Sequence, residues 1–125
     1  MLFRSKYDGP GTPPADPFVV DETLKDGDSI DAAGGLIAYH TPGHTPGHTS
    51  FYQAERKLLF SGDLFFGDGE QVVLTPPDFT HHTPTAVISA RRMGQLSVDS
   101  LLTYHGGPIL HKGGPAVRAL VEKLR

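Results

Sequence analysis

The run Thr41-Pro42-Gly43-His44-Thr45-Pro46-Gly47-His48 repeats one tetrapeptide, Thr-Pro-Gly-His, back to back. With His40 just before it, three histidines recur at every fourth position and would share one face of a helix. Pro42, Gly43, Pro46 and Gly47 forbid that helix. Proline removes a backbone donor and clashes with the preceding turn, and each glycine costs about 1 kcal/mol relative to alanine. The run is therefore a loop, and so many Pro and Gly residues around two histidines imply that its shape matters.

Upstream, Gly34-Gly35 opens a strand through Leu36-Ile37-Ala38-Tyr39-His40. Downstream, Thr49 to Gln53 reads as a strand, Ala54-Glu55-Arg56 as a turn, and Lys57-Leu58-Leu59-Phe60 as the return strand of a hairpin. That strand ends at Ser61-Gly62-Asp63. Before this block, residues 1–17 form an irregular leader, since the prolines between Asp8 and Pro17 bar regular pairing. Phe18-Val19-Val20 is a candidate short strand, Asp26-Gly27 a turn, and Ser29 to Ala32 a second short strand. Residues 64–82 are rich in loop signals. Thr83 followed by Pro84 then makes a helix start, with Thr83 as N-cap, and Val87, Ala90, Met93 and Leu96 give the apolar stripe. Leu101-Leu102-Thr103-Tyr104 is a strand whose Tyr104 is expected to pack into the sheet edge. From Pro115 an amphipathic helix sets Val117, Leu120, Val121 and Leu124 against Arg118, Glu122 and Arg125. The class is α+β.

Composition sets outer limits. Gly (15) and Pro (11) make up 26 of 125 residues, which suits tight turns but carries no collagen period and no heptad. The formal charge of −3 comes from 11 basic and 14 acidic residues, too even a balance for nucleic-acid binding or an anionic membrane surface. No segment approaches the apolar length needed to span a bilayer, and Met1-Leu2-Phe3-Arg4-Ser5-Lys6 lacks a signal-peptide core. A cytoplasmic protein is expected. The absence of cysteine removes disulfides, thiolate nucleophiles and Cys-type zinc sites, so any metal falls to the seven histidines and the carboxylates.

Three places share one design, a strand followed by a glycine-bearing loop with a His or Asp in it: His44, Asp63 and His105. Loops at strand ends, held by a rigid sheet, are where ligands and catalytic groups collect. Imidazole and carboxylate are also the donors of a cysteine-free hydrolytic zinc site. Taken singly, Gly62-Asp63 is an ordinary turn signal and His105-Gly106-Gly107 an ordinary loop, so spacing alone leaves both readings open.

Taken together, the Thr41–His48 run, Phe60-Ser61-Gly62-Asp63-Leu64-Phe65-Phe66 and Tyr104-His105-Gly106 resemble the last three motifs of the metallo-β-lactamase superfamily. Their order and intervals are similar to its glyoxalase II-like hydrolase branch. The resemblance runs from about residue 18 to 108. It implies that His44 is the third histidine of a first metal site, Asp63 the carboxylate bridging two metals, and His105 the last histidine on the second. It implies two zinc ions, or other divalent metals, and hydrolysis of thioesters, lactones or other esters. His48 then shapes the loop by hydrogen bonding, His40 is structural, and His81-His82 are exposed loop residues.

The same resemblance exposes two departures. The cysteine that the best-known zinc β-lactamases place on the second metal is absent, which points away from lactam cleavage. The family's His-x-His-x-Asp-His run is absent too, since residues 1–40 hold only His40. The expectation is a C-terminal half of an αββα sandwich over residues 18–125, truncated, binding metal weakly and inactive by itself, with no catalytic residue assigned. A homodimer or a second chain would cover the exposed sheet face. The alternatives are a non-catalytic half-domain that oligomerises or binds a partner, and a weak metal-binding protein without turnover.

Overall fold

Residues 16–124 are described in a computed structural model of the protein. In chain order the strands are β1 (Ser29–Ile30), β2 (Leu36–His40), β3 (Thr49–Gln53), β4 (Leu58–Gly62), β5 (Phe65–Gly67), β6 (Val72–Leu74) and β7 (Ser100–Thr103). The helices are α1 (Thr83–Met93) and α2 (Gly113–Lys123), with a 3-10 turn at Pro77–Phe79 before α1. Five strands form one sheet in the order β1-β2-β3-β4-β7, and β5 and β6 form a separate hairpin. Pairing in the large sheet is antiparallel except between β4 and β7, where α1 lies in the crossover that parallel strands require. The architecture is α+β, mainly antiparallel, as the sequence implies.

Register explains which face is buried. Ile37, Tyr52, Leu59 and Leu101 lie opposite one another across β2, β3, β4 and β7. The last three join Ala90 and Met93 of α1 and Val117 and Leu120 of α2 in the core. Alternate residues form a second row, Ala38, Phe51, Phe60 and Leu102, on the opposite face. Ala38 is buried and the other three are half-buried. The sheet is thus apolar on both faces, the pattern of a layer covered on two sides, whereas both helices contribute to one core on one side.

Several expected elements differ. Phe18, Val19 and Val20 form no strand and are exposed, and no strand among the described residues pairs with them. The strand expected over Ser29 to Ala32 stops at Ile30, where Ala33 and two glycines turn the chain with positive φ into β2. The loop-rich stretch 64–82 contains the β5–β6 hairpin, whose Phe65 and Val72 are core residues. His82, not Thr83, is the N-cap of α1, with its ring accepting from the Thr85 N–H, so Pro84 falls inside the first turn. The helix ends at Met93, and Leu96 leaves it while still packing on the core. α2 begins at Gly113, two residues before Pro115. Tyr104 lies beyond β7 and is 78% exposed rather than packed into the edge. The leader falls outside the described residues up to position 15, and Asp16 and Pro17 carry no regular structure. Among the described residues, no helix is long and apolar enough to cross a membrane.

Candidate metal centre

β2, β4 and β7 each end at the same edge of the sheet, so the loops that follow them converge. His44 comes from the first, Asp63 from the second and His105 from the third. The Asp63 carboxylate sits between the other two: Oδ2 is 3.4 Å from His44 Nε2, and Oδ1 is 2.7 Å from His105 Nδ1. All three residues singled out in the sequence are therefore neighbours, arranged as two pairs that share one carboxylate. They do not converge on a single point. Among the described residues, no group of three His, Asp or Glu side chains is placed to hold one ion.

The two pairs differ in kind. His44 Nδ1 donates to the Phe79 carbonyl at 2.6 Å, which puts the ring proton there and leaves Nε2 as the lone-pair nitrogen facing Asp63. Two donors bound to a tetrahedral zinc at about 2.0–2.1 Å are themselves about 3.3–3.4 Å apart. The 3.4 Å separation of His44 Nε2 and Asp63 Oδ2 matches that edge. His105 Nδ1 instead makes a direct hydrogen bond to Asp63 Oδ1, too short a contact for a metal to lie between the atoms. Its ring is 62% exposed, against 20% for His44, and leans on Phe66 with centroids 4.9 Å apart. The donor set therefore fits half of one coordination shell directly, and half of a second once the His105 ring turns.

Each loop is seated by backbone that only glycine permits. At Gly43 (φ +146°) a Cβ would fall 2.4 Å from the Ala86 Cα, so the loop lies directly on α1. At Gly106 (φ +90°) a Cβ would fall 1.3 Å from the Gly67 carbonyl oxygen. The Gly67 N–H in turn donates to the His105 carbonyl at 3.0 Å, tying that loop to β5.

The metallo-beta-lactamase superfamily model matches residues 2–105. The chain belongs to that superfamily. It is similar to the metallo-beta-lactamase family protein TTHA1429 from Thermus thermophilus, at 26% identity and a TM-score of 0.63, over 90% of this chain and 36% of that one. It is similar to TTHA1623, solved in a di-iron-bound form, at 28% identity and a TM-score of 0.64, over 85% of this chain and 50% of that one. The archaeal superfamily protein ST1585 from Sulfolobus tokodaii shares the fold at 21% identity and a TM-score of 0.60, over 80% of this chain and 38% of that one. The chain thus spans between about a third and a half of the length of these structures. No curated protein matches it.

Within this superfamily member, His48 has the loop-shaping role its position implies. Asp63 N–H donates to His48 Nε2 at 3.2 Å, so the ring proton lies on Nδ1, which meets Thr41 Oγ1 at 2.9 Å. Thr41 Oγ1 then reaches Ser50 Oγ at 2.8 Å, with both hydroxyl residues fully buried. This chain of bonds ties the Asp63 loop to β2 and β3. Burial, followed by the nearby His44, pushes the His48 pKa below the usual imidazole value, consistent with a neutral ring that accepts. His40 is structural as well, with Nε2 donating to the Pro46 carbonyl at 2.8 Å.

Sequence reasoning did not reach the groups that hold His44 from outside its own loop. His81 and His82 are exposed loop residues, as expected, yet their backbone N–H groups donate to the carbonyls of His44 and Gly43. Ser89 donates to the Pro42 carbonyl at 2.7 Å. Arg92 clasps Asp26 through both of its terminal nitrogens at 2.8 Å, stacks over Tyr39, and donates to the His40 carbonyl at 3.2 Å. The Arg92 guanidinium holds the Asp26 carboxyl below its usual range. Most of these acceptors are main-chain carbonyls, which have no signature in sequence.

Proposed function

We propose that the chain carries half of a dinuclear hydrolytic metal centre. His44 and Asp63 would hold one divalent ion, and Asp63 and His105 a second. Zinc is the ion that imidazole and carboxylate donors suit, with other divalent metals as alternatives. The chemistry such a pair supplies when bound is Lewis acidity toward a scissile carbonyl, which fits thioesters, lactones and related esters. The observation that carries this reading is the 3.4 Å spacing of His44 Nε2 and Asp63 Oδ2, with His44 Nδ1 donating to the Phe79 carbonyl.

This chain's own residues supply the fixed part of such a site. Phe79 sets the tautomer of His44, His48 holds the Asp63 main chain, and Phe66 flanks His105. Among the described residues they supply two protein ligands per ion, one of them shared. An incomplete shell binds weakly, because affinity depends on a full and preorganised ligand set. The protein by itself therefore takes up zinc only in the micromolar range or weaker and does not turn over substrate. Equilibrium dialysis against zinc, with a generic thioester assay on the same samples, tests both statements. Tight stoichiometric zinc, or turnover that scales with this chain alone, would refute them.

A second reading, a non-catalytic half-domain that associates through its sheet, has one observation in its favour. The apolar row Ala38, Phe51, Phe60 and Leu102 lies on the face opposite the helices. A second copy, or a chain bringing the missing ligands, would pack there. A dimer that survives chelator and ignores substitution of His44, Asp63 and His105 would favour this reading over the first.

A further inference from the structure

Ser89 is buried at 4% exposure in the second turn of α1. A serine inside a helix ordinarily returns its hydroxyl to a carbonyl of the preceding turn. Ser89 instead donates to the carbonyl of Pro42, 47 residues earlier in the chain, at 2.7 Å. Alanine would serve the helix better, both by propensity and by sparing a hydroxyl the loss of water. What the serine adds is this one bond.

The bond closes a brace around His44. Ser89 and Ala86 lie three residues apart, on one face of α1. Ala86 receives Gly43 in direct contact, and Ser89 holds the carbonyl just before it. The residues entering the helix complete the grip, with the His82 N–H on the Gly43 carbonyl at 2.9 Å and the His81 N–H on the His44 carbonyl at 3.1 Å. The Phe79 carbonyl accepts the hydrogen bond from His44 Nδ1. From Phe79 to Ser89, one continuous segment therefore fixes the height of the loop, the main chain of His44 and the tautomer of its ring.

We infer that Ser89 is a positioning residue for His44: through Pro42 it seats the loop on α1, and so decides that Nε2 rather than Nδ1 faces Asp63. The inference rests on the metal-centre reading for its consequence, but not for its geometry. If the loop lifts from α1, the imidazole leaves the Phe79 carbonyl and either nitrogen can carry the proton.

The test is long-range proton–nitrogen NMR of the metal-free protein at pH 8, on the parent and on Ser89→Ala. The substitution places a stronger helix former in α1, so the helix is retained. The parent shows His44 with its proton on Nδ1. Ser89→Ala is expected to shift His44 toward a mixture of tautomers, while His111, which bonds Asp99 at 2.8 Å far from this loop, keeps its signals. Zinc affinity is expected to fall about three- to tenfold, as loss of one net hydrogen bond implies. An unchanged His44 tautomer in Ser89→Ala overturns the inference. Should the parent take up no zinc at all, the metal reading fails, and the tautomer comparison still decides the role of Ser89.

Discussion

The two sides of Asp63 are built to different degrees. On the His44 side, the ring is four-fifths buried, its proton is fixed by a main-chain carbonyl, and its other nitrogen stands at ligand spacing from the carboxylate. On the His105 side, the ring is mostly exposed and spends its near nitrogen on a hydrogen bond to that same carboxylate. The contrast follows from what surrounds each loop. The His44 loop is gripped by α1 and the turn before it, whereas the His105 loop is tied to β5 at Gly67 and to the Thr103 hydroxyl, and among the described residues no helix packs on its ring, which stays mostly exposed. A site with one finished half and one unfinished half should load metal in sequence rather than at once.

The largest expected effect comes from removing what the two sides share. Asp63→Asn removes the carboxylate that both pairs share, so on the proposed metal reading zinc affinity measured by calorimetry should drop more than the ~10–100-fold typical of losing an outer partner. Next come the two histidines taken separately. His44→Ala should abolish uptake of the first ion, while His105→Ala should leave that event within about threefold of the parent, because the preorganised half remains. Equal losses from the two substitutions would erase the asymmetry.

A smaller effect concerns the relay that holds Asp63. His48 is neutral in the folded protein, with a pKa below the ordinary imidazole value of 6.5. Its contribution to stability is therefore full above pH 6.5. That contribution is lost as pH falls from 6.5 through the lower folded value, because the unfolded chain takes up the proton first. Thermal melts of metal-free protein between about pH 7.5 and 5.5 should show a falling midpoint, with a shallower slope in His48→Gln. The smallest effect is expected at the Arg92–Asp26 clasp, whose side chains are 41% and 46% exposed. Solvent screening limits such a pair to about 0.5 kcal/mol. Asp26→Asn should lower the melting midpoint by about 2 °C in a domain of this size.

Much of this arrangement is legible in the sequence because its signals are local. Pro42, Gly43, Pro46 and Gly47 rule out a helix and leave a shaped loop. The short runs Leu36 to His40 and Thr49 to Gln53, bounded by turn signals, mark paired strands. Asp63 and His105 stand at strand ends, where the fold brings them to His44. What stayed hidden depends on distant partners. Phe65 to Gly67 is too short to declare a strand until Val72 to Leu74 pairs with it, and Phe18 to Val20 looks like a strand yet finds no partner among the described residues. Thr83 is the better cap by composition, but His82 reaches Thr85 and takes the role. The unequal readiness of the two histidines cannot be read from sequence at all, since it turns on the carbonyl of Phe79 and on a carboxylate that meets two rings in different ways.

The most direct test is a stepwise zinc titration followed by the imidazole nitrogen signals of His44 and His105. The account predicts that the first equivalent moves His44 Nε2 while the His105 Nδ1 hydrogen bond to Asp63 persists, and that His105 responds only as the second equivalent is added. Simultaneous movement of both rings in the first equivalent, or movement of His105 before His44, would contradict it.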